Sequence, residues 1–121
     1  MFQFPNHCNN APKKKFLIDL FHAFYSKNME WLTLNLKMLR NTDREKMFED
    51  VKNNKFWNAK TMEIESVITH GKEACVYGRL KLKTGEDSEF CEVFVFTSAG
   101  SRVIDTIHSY QGFESQLEKR N

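Results

Sequence analysis

After Asn58 the chain carries four consecutive runs, KTMEIESVITH, ACVYGRLKL, SEFCEVFVF and RVIDTIHSY, each rich in β-branched and aromatic residues. Only HGKE, KTGE and SAGS separate them, and each of these links holds a glycine. That pattern reads as strands joined by hairpins, so the second half of the chain is expected to be an antiparallel meander of four strands. Gly78 lies inside the second run, where a residue without a side chain weakens the ladder unless it allows a bend. It is read as a point of curvature.

The first half has a different period. In KKKFLIDLFHAFYSK the apolar residues Phe16, Leu17, Leu20, Phe21, Phe24 and Tyr25 recur at three and four, which predicts a helix from about Lys13 to Lys27. Met29 to Leu32 should add a short second turn. Alternation of Leu34, Leu36 and Met38 predicts a short strand, and Thr42 with Glu45 forms a capping box that opens a third helix through about Asn53. Residues 1–12, with Pro5, Pro12 and several asparagines, read as an irregular arm, leaving 13–121 as one domain. Helices at the front and strands at the back define an α+β fold with the helices on one face of the sheet.

At 121 residues the chain is long enough to bury a core without disulfides or metal. A net charge of +2, with no stripe of Lys and Arg interleaved with aromatics, argues against nucleic acid as a partner. Cys8, Cys75 and Cys91 are odd in number and lack zinc-ligand spacing, which fits reduced thiols in a cytoplasm. No segment approaches a membrane span, no leader pattern opens the chain, and nothing resembles a metal-binding or cofactor motif.

The order of the pieces carries a resemblance. A helix of the FLIDLFHAFYSKN type, then ITHGKEACVYGRLKLKTG, FCEVFVFTSAG and the final IHSY, is similar to the SnoaL-like branch of the nuclear transport factor 2-like superfamily over roughly residues 16–111. The resemblance implies a cone: a curved antiparallel sheet wrapped around a long first helix and shorter ones, an apolar pocket between them, and often a homodimer through the outer face. Its members include isomerases, cyclases and dehydratases as well as pockets without chemistry, so the fold does not choose a function.

Glu92 is the residue that most needs an explanation. Side chains alternate along a strand, so Phe90, Glu92, Phe94 and Phe96 share one face and Cys91, Val93 and Val95 the other. A two-residue Thr84-Gly85 loop would put Tyr77 opposite Glu92 and make Arg79 its diagonal neighbour. A two-residue Gly71-Lys72 loop would set Ser66 across from Tyr77 and Ile64 across from Arg79. The face gathering Ile64, Ser66, Ile68, Tyr77, Arg79, Phe90, Glu92, Phe94 and Phe96, with Leu20 and Phe24 from the helix, is assigned to the interior and expected to bind ligand. The aliphatic face of Val67, Val76, Leu80, Leu82, Val93 and Val95 is assigned to the outside, where a second copy would cover it.

A buried carboxylate takes a proton or a partner. Arg79 would simply neutralise Glu92, or the pair would meet a ligand, or Glu92 would act in catalysis. His108 is the second catalytic candidate. Loop length leaves two registers open for the last strand, one setting Ile107 across from Glu92 and one setting Thr106 there with His108 and Tyr110 alongside. In the related isomerases the resemblance places a pocket acid four residues before a phenylalanine, matching Glu92 and Phe96. It also places their base near Arg40 and Asn41 and their oxyanion tyrosine near Leu20, so only Glu92 carries over. Cys75 and Cys91 sit in apolar strands that raise a thiol pKa, which disfavours covalent catalysis. Three readings remain: a binding domain for a small, apolar or partly polar ligand; an acid–base enzyme acting on a carbonyl compound; and a dimerisation or protein-interaction module.

Overall fold

The computed structural model describes residues 1–5, 11–39 and 54–111. The capping box and third helix expected after Thr42, together with Cys8, Arg40 and Asn41, lie outside these residues. The fold is α+β. Its elements run β1 (Phe2–Gln3), α1 (Pro12–Ser26), α2 (Met29–Asn35), β2 (Lys37–Met38), β3 (Ala59–His70), β4 (Glu73–Leu82), β5 (Asp87–Phe96) and β6 (Val103–Gln111). One curved, unclosed sheet takes the order β1-β3-β4-β5-β6-β2.

The helix starts on Pro12 because proline pre-sets the helical φ and has no N–H to leave unpaired in the first turn. It stops at Lys27, whose φ of 56° is left-handed and turns the N–H groups of Lys27 and Asn28 back onto the carbonyls of Phe24 and Ala23. Asn28 then caps α2, its Oδ1 accepting from the Trp31 N–H at 3.0 Å. Leu17, Leu20 and Phe21 are at most 1% exposed. Burying side chains of this size contributes about 1.5–3 kcal/mol each.

The four-strand meander forms as the sequence predicts, and the shorter elements differ. Leu32 and Leu36 are buried while Leu34 is exposed, a helical spacing that extends α2 to Asn35 and leaves only Lys37–Met38 to pair with β6. Helical i, i+4 burial against α1 overrides the alternation of leucines. Phe2–Gln3 add a parallel edge strand to β3, where the sequence reading expects an irregular arm.

Two local devices set the register. At the β4–β5 hairpin the loop has three residues, Lys83, Thr84 and Gly85, closed by Leu82 N–H to Glu86 O at 2.9 Å, with Gly85 at a φ of 94°. This is the three-residue hairpin that uses a glycine in its left-handed position. It pairs Val76 with Glu92, Gly78 with Phe90 and Arg79 with Glu89, one residue off the register expected from a two-residue loop. In β3 the Gly71-Lys72 loop does pair Ser66 with Tyr77, but the register shifts between Ile64 and Ser66, so Ile64 faces Gly78 rather than Arg79. A bulge of this kind bends its strand.

The bulged backbone lies directly on Gly78. A Cβ there would stand 1.9 Å from the Glu63 carbonyl oxygen, so glycine serves close approach, and the reading of Gly78 as a curvature point acquires a structural cause. Gly78→Ala should therefore destabilise the fold by at least about 1–3 kcal/mol, the usual range for overpacking. A lowered urea midpoint with an unchanged slope is the expected result.

Candidate functional site

The interior face of the sheet carries Met62, Ile64, Val67, Val76, Leu80, Phe90, Phe94, Phe96 and Ile104, all buried in one core with residues of α1. Phe21 stands at the centre of this interior. Its ring lies 5.6 Å from Phe90, 6.0 Å from Phe94 and 4.9 Å from Phe56. Phe56 comes from the turn before β3, where Asn54 Oδ1 accepts from the Phe56 N–H at 2.7 Å and tucks the ring inward. Offset and edge-on pairs of this kind add about 0.5–1.5 kcal/mol each beyond area burial.

Glu92 lies in this aromatic interior and is 3% exposed. Its partner is Lys55, from the same turn as Phe56, with Nζ 3.2 Å from Oε1. The ammonium also sits 5.0 Å from the centre of the Phe56 ring. Ser109, opposite Glu92 on β6, donates its hydroxyl to Oε2. Oε1 has no aligned hydrogen-bond donor among the described residues, so Lys55 supplies it with charge attraction and leaves acceptor capacity unused.

The expected contact between Arg79 and Glu92 does not form. Shifting β4 by one residue sends Arg79 and Tyr77 to the outer face, where Arg79 Nε meets Glu65 Oε1 at 3.1 Å. Ser66, the partner of Tyr77, is half-buried on the same side, and Ile68, also expected inside, pairs with Cys75 and is exposed there. Ile64, Phe90, Phe94, Phe96, Leu20 and Phe24 are interior, as the sequence reading has them. The outer face is not the expected aliphatic one, because Val67, Val76 and Leu80 are buried inside.

The last strand takes neither of the two registers left open. Glu92 pairs with Ser109, Val93 with His108 and Cys91 with Tyr110. His108 and Tyr110 therefore lie on the outer face, exposed, and the structure does not bring His108 to Glu92. Sequence reasoning missed Lys55 and Ser109 as partners of the acid, and Phe56 and Phe21 as rings of the aromatic interior around it. Phe21 was legible on the helix ridge. Lys55 and Ser109 carried no signal, since a turn geometry and a register place them.

No protein-family model and no curated protein matches this chain. Among solved structures, it is similar to an NTF2-like (nuclear transport factor 2-like) protein of unknown function from Cytophaga hutchinsonii, with a TM-score of 0.57 and 11% identity over 87% of this chain and 94% of that one. The chain has the nuclear transport factor 2-like fold. That likeness extends to the cone of sheet and helix and stops there. Among the described residues, no helix of this cone is long and apolar enough to cross a membrane, and no cluster of three or more His, Cys, Asp or Glu could hold a metal ion.

The geometry separates two charge pairs by environment. Removing one member of a buried pair strands the other, at a cost of about 3–5 kcal/mol, whereas exposed pairs are worth about 0–1 kcal/mol. Lys55→Met should therefore destabilise the protein strongly, and adding Glu92→Gln should recover part of the loss. Arg79→Met, at a side chain 64% exposed, should cost little and be additive with Glu92→Gln. Urea unfolding of the single and double variants checks both expectations.

Proposed function

We propose that this protein is a small-molecule-binding domain whose ligand enters the cone between α1 and the inner face of the sheet. The observation that carries the reading is Glu92: a carboxylate 3% exposed, set among phenylalanines, with one oxygen bonded to Ser109 and the other lacking an aligned donor among the described residues. A structural ion pair would be expected to saturate its acceptors, because an under-bonded buried oxygen costs free energy. A ligand hydroxyl would complete Oε1, and the Lys55 ammonium would donate to a ligand carbonyl beside it. Phe90, Phe94, Phe96, Ile64, Leu20 and Phe24 would supply the apolar wall. Tyr77, Arg79 and Ser66 take no part in this version of the site.

The ligand class that fits is small, largely apolar, and bears a hydroxyl or keto group. One charge-assisted hydrogen bond to it would be worth about 1.5–3 kcal/mol. Acid–base catalysis on a carbonyl compound is the enzymatic alternative, with Glu92 as its acid. That chemistry needs a base within reach of the substrate proton, and Leu20 stands where the isomerase relatives place a tyrosine. Binding is therefore preferred to turnover. Free thiols at Cys75 and Cys91 fit a reducing, cytoplasmic setting.

Hydrophobic hydroxy and keto compounds should raise the melting temperature, and Glu92→Gln should change which of them do so. A thermal-shift screen with no response to any such compound would count against the pocket.

A homodimer through the outer face is a second proposal, supported by a different observation. Ile68 is 55% exposed, Tyr77 36% and Tyr110 49%, beside the half-buried Val93. Exposed aromatic and aliphatic groups on one sheet face are what a subunit contact covers. Light scattering should find a dimer at micromolar concentration, and Val93→Glu should shift it to monomer.

A further inference from the structure

The register that turns Arg79 away from Glu92 also turns Cys75 outward, to the face that carries Cys91. Their sulfurs are 3.4 Å apart, in thiol-to-thiol contact. The two are not register partners. Cys75 pairs with Val93 and Cys91 with Tyr77, so they meet along the diagonal between β4 and β5. Both are free and half-buried, and neither belongs to the interior site around Glu92.

We infer that Cys75 and Cys91 form a reversible dithiol–disulfide pair, a modification site on the outer face of the sheet that takes hydroperoxides as its oxidant. The sulfurs need to approach only from 3.4 Å to the roughly 2.05 Å of a disulfide bond. Side-chain rotation can supply much of that. The bond would lie on the outer face of the sheet, within reach of reductants, which makes this pair reversible.

Burial pushes the Cys75 thiol up to about 12, with the Cys91 contact adding to the effect and the Glu92 carboxylate contributing less. Cys75 is therefore held as a thiol, and the proposed sequence opens on its contact partner, Cys91. Its thiolate attacks the distal oxygen of the hydroperoxide. An S–O bond forms, the O–O bond breaks, and the alkoxide leaves as an alcohol after taking a proton, or as water when the oxidant is hydrogen peroxide. The Cys75 sulfur then attacks Cys91 Sγ, the S–S bond forms, the S–O bond breaks, and hydroxide departs as water with the Cys75 proton. Two thiols have lost two protons and two electrons, and the peroxide has taken up both. The inference is independent of the ligand proposal, and it requires that an outer-face dimer leave the two thiols open to peroxide, since Val93 and Tyr77 are their register partners.

The test uses the full reduced chain, treated with hydrogen peroxide, alkylated at its remaining thiols and mapped by peptide mass spectrometry. The Cys75 peptide should be joined to the Cys91 peptide, Cys8 should be alkylated, and dithiothreitol should release the link. In Cys75→Ser, a sulfenic acid should accumulate at Cys91 and be trapped by dimedone several-fold more than in the unaltered chain. In Cys91→Ser both the link and the trapping should be lost. Peroxide-treated chain in which both cysteines still alkylate fully, or in which the link runs to Cys8 or between chains, would overturn the inference. The mapping of the unaltered chain decides this even if a serine variant folds poorly. Dimedone trapping at Cys75 rather than Cys91 would overturn the assigned order of attack.

Discussion

Everything in this molecule depends on the three-residue turn at Lys83, Thr84 and Gly85. Because side chains in a strand alternate with a period of two, a slip of one residue moves every side chain of β4 to the other face. Gly85 sits at a φ of 94°, where other residues are strained, and this conformation lets the turn close on Leu82 and Glu86. With that loop, Val76, Gly78 and Leu80 enter the core, while Cys75, Tyr77 and Arg79 leave it. The burial pattern agrees with the turn. Val76 and Leu80 are almost fully buried, and the opposite register would have put an arginine and a tyrosine in their places.

Among the described residues the interior then holds one acid, and its environment is built by segments far apart in the chain. Lys55 and Phe56 come from a turn, Ser109 from the last strand, Phe21 from the first helix and Glu92 from β5. Buried ion pairs offset their own desolvation only in part, so such a pair is weak evidence for a purely stabilising role. Its setting in a cluster of phenylalanines, with one carboxylate oxygen short of an aligned donor among the described residues, is the basis of the proposed ligand.

The outer face has a different character. Arg79 and Glu65 pair across β4 and β3 in a solvated setting, with Tyr77, Tyr110 and Ile68 exposed around two touching thiols. A face of this mixture is neither a plain solvated sheet surface nor the aliphatic one expected from a two-residue hairpin. It is the same turn at Gly85, acting through register, that puts the two cysteines side by side.

The sequence by itself determined the α+β class, the α1 ridge, the four-strand meander and the inward direction of Glu92, because each is written in a local periodicity of hydrophobic residues. Phe90, Phe94 and Phe96 follow Glu92 inward by simple alternation, and Leu20 and Phe24 follow the helical ridge. Only the tertiary structure decided which residues meet the acid. A third loop residue and a bulge near Glu65 are single-residue events that leave composition and period untouched, yet they reverse the faces that β4 and part of β3 present. Lys55 and Ser109 reach Glu92 through chain closure over long sequence separations, which no local pattern encodes. Registers and long-range contacts are set by the summed packing of the whole sheet on α1, and that sum exists only once the chain has folded.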